Sequence, residues 1–375
     1  MAVSLIKTAD RYIGSVLVNF LALFKGKKKL GSYNRILIVQ LWGIGETILA
    51  LPAINEICRS HKNAMVEVLA TSRNADVFYG NRDISDVIVL SMDPFSVAGF
   101  MLNNINKFDL VIDMEEYLSV SSIISFFVGK YSLGYSHGAR AKLYDLHAEY
   151  NDRQHAAETF MGLARKIGVN AAVNGLAKLH YTGRDRQIVG DYLKLNGIKE
   201  GDFLIGIAAG AAESAKSRMW PAERYVKLCN LLMKKKKNAK IVLIGGASEE
   251  ELNRRLLVGI SNKGRVMNST GMFSLRELFC LAEKLDLFIG NDSGPMHIAA
   301  AQGVKTIGLF GPNIPVRFGP LGKGNKAVYK GQICKYSPCV NVHKGQVPDC
   351  LYPKKSEDYQ KCMKNIEVED VIKIV

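Results

Sequence analysis

The sequence predicts an α/β protein made of two Rossmann-like domains, each a parallel sheet covered by helices, facing one another across a cleft. Three observations predict it. Short continuous apolar runs alternate with amphipathic helical stretches along the 375 residues, the pattern of strands buried on both faces. The runs fall into two sets, separated by a polar helical stretch near residues 150–200. Glycine, serine and acidic residues follow the runs, at the strand ends where such sheets bind ligands. The expected domains are 1–30, 31–185, 186–345 and a tail, 346–375, packed back on the N-terminal domain.

Composition fits a folded, core-forming chain, with 48% apolar residues and a formal net charge of +15. That charge draws the protein to something anionic. At the N-terminus Leu5, Ile6, Tyr12, Ile13, Val16, Leu17, Phe20, Leu21 and Phe24 recur on one helical face, with Asp10, Arg11, Ser15 and Asn19 opposite. The apolar part is too short to span a bilayer. Lys25, Lys27, Lys28 and Lys29 follow directly. An amphipathic helix beside lysines suits an anionic membrane surface; the other reading is a helix packed on the protein's own core. The run Lys234–Lys237 reads as a solvated connector, with no nucleic-acid motif beside it.

The first set of strands is expected at 35–41, 66–70, 87–90 and 109–114. After the first comes "WGIGETILALPAINEI". Gly43 and Gly45 make a tight turn and Glu46 opens a helix. Ile48 stands where a dinucleotide fingerprint needs a small residue, and no Gly-Lys-Ser/Thr is present, so neither that fingerprint nor a P-loop is met. Glu46 is either a reactive carboxylate or an acid favoured by the helix dipole. The stretch 134–158, "GYSHGARAKLYDLHAEYNDRQHAAE", offers His137, Arg140 and Lys142 to an acceptor's phosphate or carboxylate, or forms a solvated loop.

The second set is expected at 203–210, 240–246, 286–291 and 305–311. Lys216 and Arg218 follow the first of these, before Trp220-Pro221 starts a helix. Two cations there suit a phosphate. Gly245 and Gly246 end the next strand. Ser248 is a candidate cap, and Glu249 either holds ribose hydroxyls or sits as an ordinary acid in a first turn. Asp292, Ser293 and Gly294 end the third strand before a small-residue helix. The amides of that helix's first turn lack internal partners and attract an anion. Gly294 permits close approach, Ser293 adds a hydroxyl, and Asp292 suits a hydroxyl-rich group beside the anion. His297, one turn in, fits a core, orienting or phosphate role.

Of the seven cysteines, Cys58, Cys229 and Cys280 lie in apolar helical contexts and read as reduced thiols. Cys334, Cys339, Cys350 and Cys362, with His343 between them, are spaced too widely for common zinc modules. Reduced thiols or a disulfide are the expectation, and no metal is assigned.

Three stretches resemble one family. "NDSGPMHIAAAQGVKTIGLFGP" resembles the donor-site motif of the lipopolysaccharide heptosyltransferases, glycosyltransferase family 9. "ILIVQLWGIGETILALPAI" resembles that family's N-terminal motif and "SRMWP" its basic-x-Trp-Pro motif, in the family's order, over about residues 35 to 320. The resemblance implies a two-domain GT-B fold. It implies inverting, metal-independent transfer from a nucleotide-sugar donor, usually ADP-heptose, to a lipid-anchored core at the cytoplasmic face of the inner membrane. No cofactor is implied, and no Asp-x-Asp occurs in the chain. By the same resemblance Glu46 is the general base. Ser293, Gly294 and the following amides hold the leaving diphosphate, with Arg218 and Lys216. Asp292 holds sugar hydroxyls and Glu249 the ribose. Two departures stand out: Glu46 where the family has Asp, and Arg218 where it has Lys. The alternatives are a nucleotide-sugar epimerase or hydrolase, which needs no lipid acceptor, and a non-catalytic glycolipid or nucleotide binder.

Overall fold

A computed structural model describes residues 10–26, 31–41, 43–341, 344–346 and 348–375. The expectations for Leu5, Ile6, Lys27, Lys28, Lys29 and His343, and for the Arg11 side chain, lie outside what is described. The chain divides into two compact units, the first running to Asn174 and the second beginning at Gly175. Each is an α/β unit, as expected.

The first unit contains α1 (Ser15–Ala22), β1 (Arg35–Val39), α2 (Ile44–Ser60), β2 (Met65–Ala70), β3 (Asp86–Val89) and α3 (Pro94–Asn103). These are followed by β4 (Phe108–Asp113), α4 (Ser119–Val128), β5 (Gly129–Tyr135), β6 (Leu146–Ala148) and α5 (Ala156–Lys166). Its six strands lie in the order β3-β2-β1-β4-β5-β6. Ile36, Leu37, Ile38 and Val39 of β1 are fully buried, because helices cover both faces of a parallel sheet.

The second unit contains α6 (Gly183–Leu195), β7 (Phe203–Ala208), α7 (Ala222–Lys235), β8 (Ala239–Leu243), α8 (Glu250–Gly259), β9 (Val266–Asn268) and α9 (Leu275–Glu283). It continues through β10 (Leu287–Asn291), α10 (Gly294–Ala301), β11 (Lys305–Phe310), α11 (Pro315–Phe318), β12 (Lys326–Tyr329), α12 (Lys361–Lys364) and α13 (Val368–Ile372). Its order is β12-β11-β10-β7-β8-β9, which repeats the first sheet strand for strand. In both sheets the order reverses between the unit's first and fourth strands, which are paired in parallel: β1 with β4, and β7 with β10. The crevice beyond the carboxyl ends of such a pair is where open α/β sheets take ligands.

Four strands were not expected. β5 carries Lys130, Tyr131 and Ser132 among its apolar residues, and β6, β9 and β12 are three or four residues long. Such short or mixed segments lack a continuous apolar run. The stretch 134–158 is therefore not one loop. It holds the end of β5, a 3₁₀ turn at Ala139–Leu143, β6 and the start of α5.

The domain boundary also differs. Residues 175–185 belong to the second unit, where Lys178 pairs with Glu283 at 2.6 Å and the Leu179 amide donates to Gln302. The tail, expected on the first unit, belongs to the second and packs in its core. Met363, Ile366, Val368 and Val371 join the core formed by β7, β8, β10 and α7. Trp220 donates its indole N–H to the Ile366 carbonyl, and Lys227 pairs with Glu369. Apolar side chains of the tail are buried here because α7 offers a matching apolar stripe of Tyr225, Leu228, Cys229 and Leu232.

The N-terminal helix docks by the face that is poor in large apolar residues. The Asp10 carboxylate accepts from the Ser119 and Val120 amides, 2.9 and 2.8 Å away, and so caps the first turn of α4. A Cβ on Gly14 would lie 2.6 Å from Ser119 Cβ, so only glycine permits this approach. Val18 is fully buried with Ile123 and Leu143. Burial raises the Asp10 carboxyl above its ordinary value, against the lowering effect of the two amides. Asp10→Ala should lower stability by about 1 kcal/mol in urea unfolding, and should expose the α1 segment to limited proteolysis before the rest of the unit.

Candidate functional site

In the first unit, functional side chains gather after β1 and β4. Gly43 sits at φ +81°, in the left-handed region, and precedes α2. The Glu46 carboxylate folds back against it: a Cβ at Gly43 would lie 2.1 Å from Glu46 Oε2. Glycine at 43 thus fixes both the turn and the place of the acid. The Thr47 amide and hydroxyl both donate to the Gly43 carbonyl, at 2.9 and 2.7 Å, and Asn74 donates to the Thr47 hydroxyl and the Gln40 carbonyl. Gly45 is buried in the first turn of α2.

Beyond β4 comes "DMEEY", which the sequence reading passed over. Asp113 is fully buried and its carboxylate accepts from Arg140, 2.9 Å, and from the Tyr144 hydroxyl, 2.6 Å. Arg140 also donates to the Glu115 carbonyl. Glu115 accepts from the Leu41 amide at 2.6 Å, tying the β1 exit to the β4 exit. Glu116 accepts from the Tyr150 hydroxyl at 2.7 Å, and its carbonyl lies 2.6 Å from His137 Nε2. Burial, then the negative charges of Glu115, Glu46 and Glu116, push the Tyr117 hydroxyl well above its ordinary range. Glu115 and Glu116 are themselves buried at this strand exit.

These contacts correct the reading of Arg140 and Lys142. Arg140 is 3% exposed, and its guanidinium is engaged by Asp113, Tyr144 and Glu115 within the unit, so it is not available to an acceptor. Lys142 is exposed, but it donates to Asn19 at 2.6 Å and stands beside α1. His137 is half-buried and packs against Tyr135 and Tyr150. It lies against the Glu116 carbonyl, while Tyr150 bonds the Glu116 carboxylate.

In the second unit the central element is Asn291, fully buried at the end of β10. Its carbonyl oxygen accepts from the Trp220 amide at 3.0 Å and the Tyr225 hydroxyl at 2.9 Å. Its NH₂ donates to the Ala209 and Gly210 carbonyls at 2.7 and 3.1 Å. One side chain so holds the β7 exit, the basic turn and the β10 exit in register. Ser293 and Gly294 then open α10; Pro295 in its first turn has no N–H and the Met296 amide donates to the Ser293 carbonyl at 3.1 Å, while the helix N-terminus carries partial positive charge. His297 is buried within α10, which places it in the packing under that turn.

Arg218 lies over the Asp292 end of β10. Its Nη1 is 3.3 Å from Asp292 Oδ2 and donates to the Asp292 carbonyl at 3.2 Å. Asp292 also accepts from Asn313 at 2.9 Å, a residue after β11 that the sequence reading missed. The cation assigned to phosphate and the acid assigned to sugar hydroxyls thus form one partly buried pair. Lys216 is exposed on the same 3₁₀ turn, Glu213–Arg218. Glu249 takes the Gly246 amide at 2.8 Å, so this acid, not Ser248, closes the turn before α8. A Cβ on Gly210 would lie 1.6 Å from Glu249 Oε1, so the carboxylate fills the space that glycine leaves at the β7 exit. Burial raises its pKa, opposed by the Gly246 amide.

The basic turn is braced from the tail. Ser217 donates to the Pro348 carbonyl at 3.1 Å, and Gln360 donates to the Lys216 carbonyl at 2.8 Å. Ser217 also lines a small cavity with Cys334, Cys339, Cys350 and Cys362. All four are free thiols, as are Cys58, Cys229 and Cys280. Burial, together with the neighbouring thiols, pushes Cys339 up to about 11 and Cys362 to about 12. Among the described residues, no group of three His, Cys, Asp or Glu side chains is placed to hold a metal ion.

Comparison with known proteins places this geometry. The family model "Glycosyltransferase family 9 (heptosyltransferase)" matches residues 104–345. The chain is 29% identical over 178 residues to lipooligosaccharide heptosyltransferase 2 of Campylobacter jejuni, covering 47% of this chain and 51% of that one. The chain thus spans about half the length of the curated relatives it matches first. Among solved structures, a glycosyltransferase family 9 protein from Veillonella parvula superposes with a TM-score of 0.77 at 23% identity, covering 92% of this chain and 97% of that one. The E. coli ADP-heptose lipopolysaccharide heptosyltransferase II does so with 0.69 at 16% identity, covering 91% and 97%. These likenesses bear out the expected GT-B fold.

The Arg140–Asp113 pair should behave as a structural bond. Arg140→Met leaves a buried carboxylate without its cation and should cost about 3–5 kcal/mol in urea unfolding. Arg140→Met with Asp113→Leu should recover part of that loss.

Proposed function

Since the chain belongs to glycosyltransferase family 9, the heptosyltransferase family, we propose that it transfers a sugar, heptose first among candidates, from a nucleoside diphosphate donor to a hydroxyl of a lipopolysaccharide-type core. The observation that carries this reading is the different chemistry at the two switch points. The first offers a carboxylate, Glu46, against a glycine turn. The second offers a helix N-terminus with a basic turn beside it.

Glu46 takes the proton of the acceptor hydroxyl as that oxygen attacks the anomeric carbon, and a single displacement inverts the centre. The charge that develops on the leaving diphosphate is met by the amides at Ser293 and Gly294 and by Arg218 and Lys216. These groups supply the cationic field themselves, so no metal is assigned a part. When donor binds, Arg218 turns from Asp292 toward phosphate, and Asp292 is freed for sugar hydroxyls while Asn313 still holds it. Glu249, beside Gly210 and Gly246, takes ribose hydroxyls. His137, through Glu116, lines the acceptor side. ADP-heptose is the proposed donor, since the E. coli structural neighbour is described as an ADP-heptose enzyme. A lipid-anchored acceptor fits the +15 charge and a site of work on the cytoplasmic side of the membrane, with the N-terminal helix on its surface. Domains are assigned as acceptor unit first and donor unit second.

Glu46→Gln should reduce turnover about a thousandfold in a transfer assay and leave ADP affinity by calorimetry unchanged. Asp292→Ala and Arg218→Ala should each weaken ADP-heptose binding about tenfold, without added metal. A preference for UDP or GDP over ADP in the same titrations would overturn heptose as the sugar. Absence of binding to all three would favour a non-catalytic role.

A further inference from the structure

The N-terminal helix is held by one face while its opposite face is open. Asp10, Gly14, Val18 and Lys25 lie toward the unit: Asp10 caps α4, Val18 is buried, and Lys25 reaches the Tyr144 carbonyl and Asp145. The outward face carries Tyr12, Ile13, Val16, Leu17, Phe20, Leu23 and Phe24, from 46% to 79% exposed. A helix docking only to stabilise this unit would turn that stripe inward. Instead its poorer face makes the specific bonds and its richest apolar face is left outside.

A second helix extends this surface. Met101 of α3 packs in the same cluster as Leu21 and Ala22 of the N-terminal segment, together with Phe126 and Phe127 of α4. The α3 sequence, PFSVAGFMLN, has no charged residue. Its Phe95 and Leu102, seven residues apart and so on one helical face, are 89% and 71% exposed, and Ile105 just beyond is 53% exposed. Such an accumulation of large apolar side chains marks a docking surface.

The flanking charges choose the occupant. Lys142 stands beside Asn19 and Lys107 beside Asn104, and Lys27, Lys28 and Lys29 follow in sequence. From residue 11 to residue 31 the chain has no acidic residue, and within α3 there is none, the capping Asp93 standing just before its first residue. An apolar stripe bordered by lysines complements an anionic lipid surface. We propose that the N-terminal helix and α3 form one two-helix surface that inserts among the headgroups of an anionic bilayer and sets the orientation of the first unit on it. This extends the membrane part of the proposed function to a second element and rests on it. Two separated contacts fix an orientation that a single helix, free to roll about its axis, leaves undetermined.

The test is co-sedimentation of the full chain with vesicles of phosphatidylcholine, with and without phosphatidylglycerol. It compares wild type with Phe20→Ser/Leu23→Ser and with Phe95→Ser/Leu102→Ser, with ADP binding measured on each. Both double variants should lose about tenfold in affinity for the anionic vesicles, with ADP binding kept and binding weakened by salt. Wild-type affinity in the Phe95→Ser/Leu102→Ser protein would overturn the two-helix surface. So would equal binding to both vesicle types, or a wild-type dimer that either variant turns into a monomer. Loss of ADP binding with vesicle binding intact would instead fail the transferase reading and leave this surface standing.

Discussion

In a parallel sheet the central strands end in a crevice, and there the backbone loses its ladder partners. Buried polar groups left without partners are costly, so the side chains at these ends must supply what the ladder no longer does. Everything near the two crevices follows from this need. In the second unit one carboxamide meets it: Asn291 makes four bonds, to Trp220, Tyr225, Ala209 and Gly210. In the first unit the same duty is shared by Asp113, Arg140, Tyr144 and Glu115. The exits of the switch-point strands are thereby bonded by side chains of their own unit.

The groups proposed to act are placed by the same exits. Glu46 rests on a glycine that no other residue replaces without displacing it, and Glu249 rests on Gly210 in the same way. The pair of Arg218 and Asp292 holds a cation and an acid beside the α10 N-terminus, each the other's partner. The basic turn gains its own support from the tail, through Gln360 and the Pro348 carbonyl. A C-terminal segment that looks remote in sequence thus braces the proposed donor site.

The N-terminal segment follows a different logic. Its polar capping residue and small Gly14 secure it to α4, and its apolar stripe is left for something outside the chain. Among the described residues no helix is long and apolar enough to cross a membrane. A stripe of that kind fits the surface contact proposed above.

Sequence alone determined the elements whose signal is local. Eight strands with continuous apolar runs, the glycine turn before Glu46 and the Asp-Ser-Gly turn before α10 were all legible, because each rests on residues within a few positions of one another. The strands β5, β6, β9 and β12 were not, since their residues are mixed or few and pairing alone makes them strands. Tertiary structure decided the partners. It buried Arg140 on Asp113, joined Arg218 to Asp292, brought Glu115 and Asn313 into the two sites and sent the tail to α7. Each of these is a bond between residues far apart in the chain, and which distant groups meet is fixed by strand order and burial, quantities that no local pattern contains.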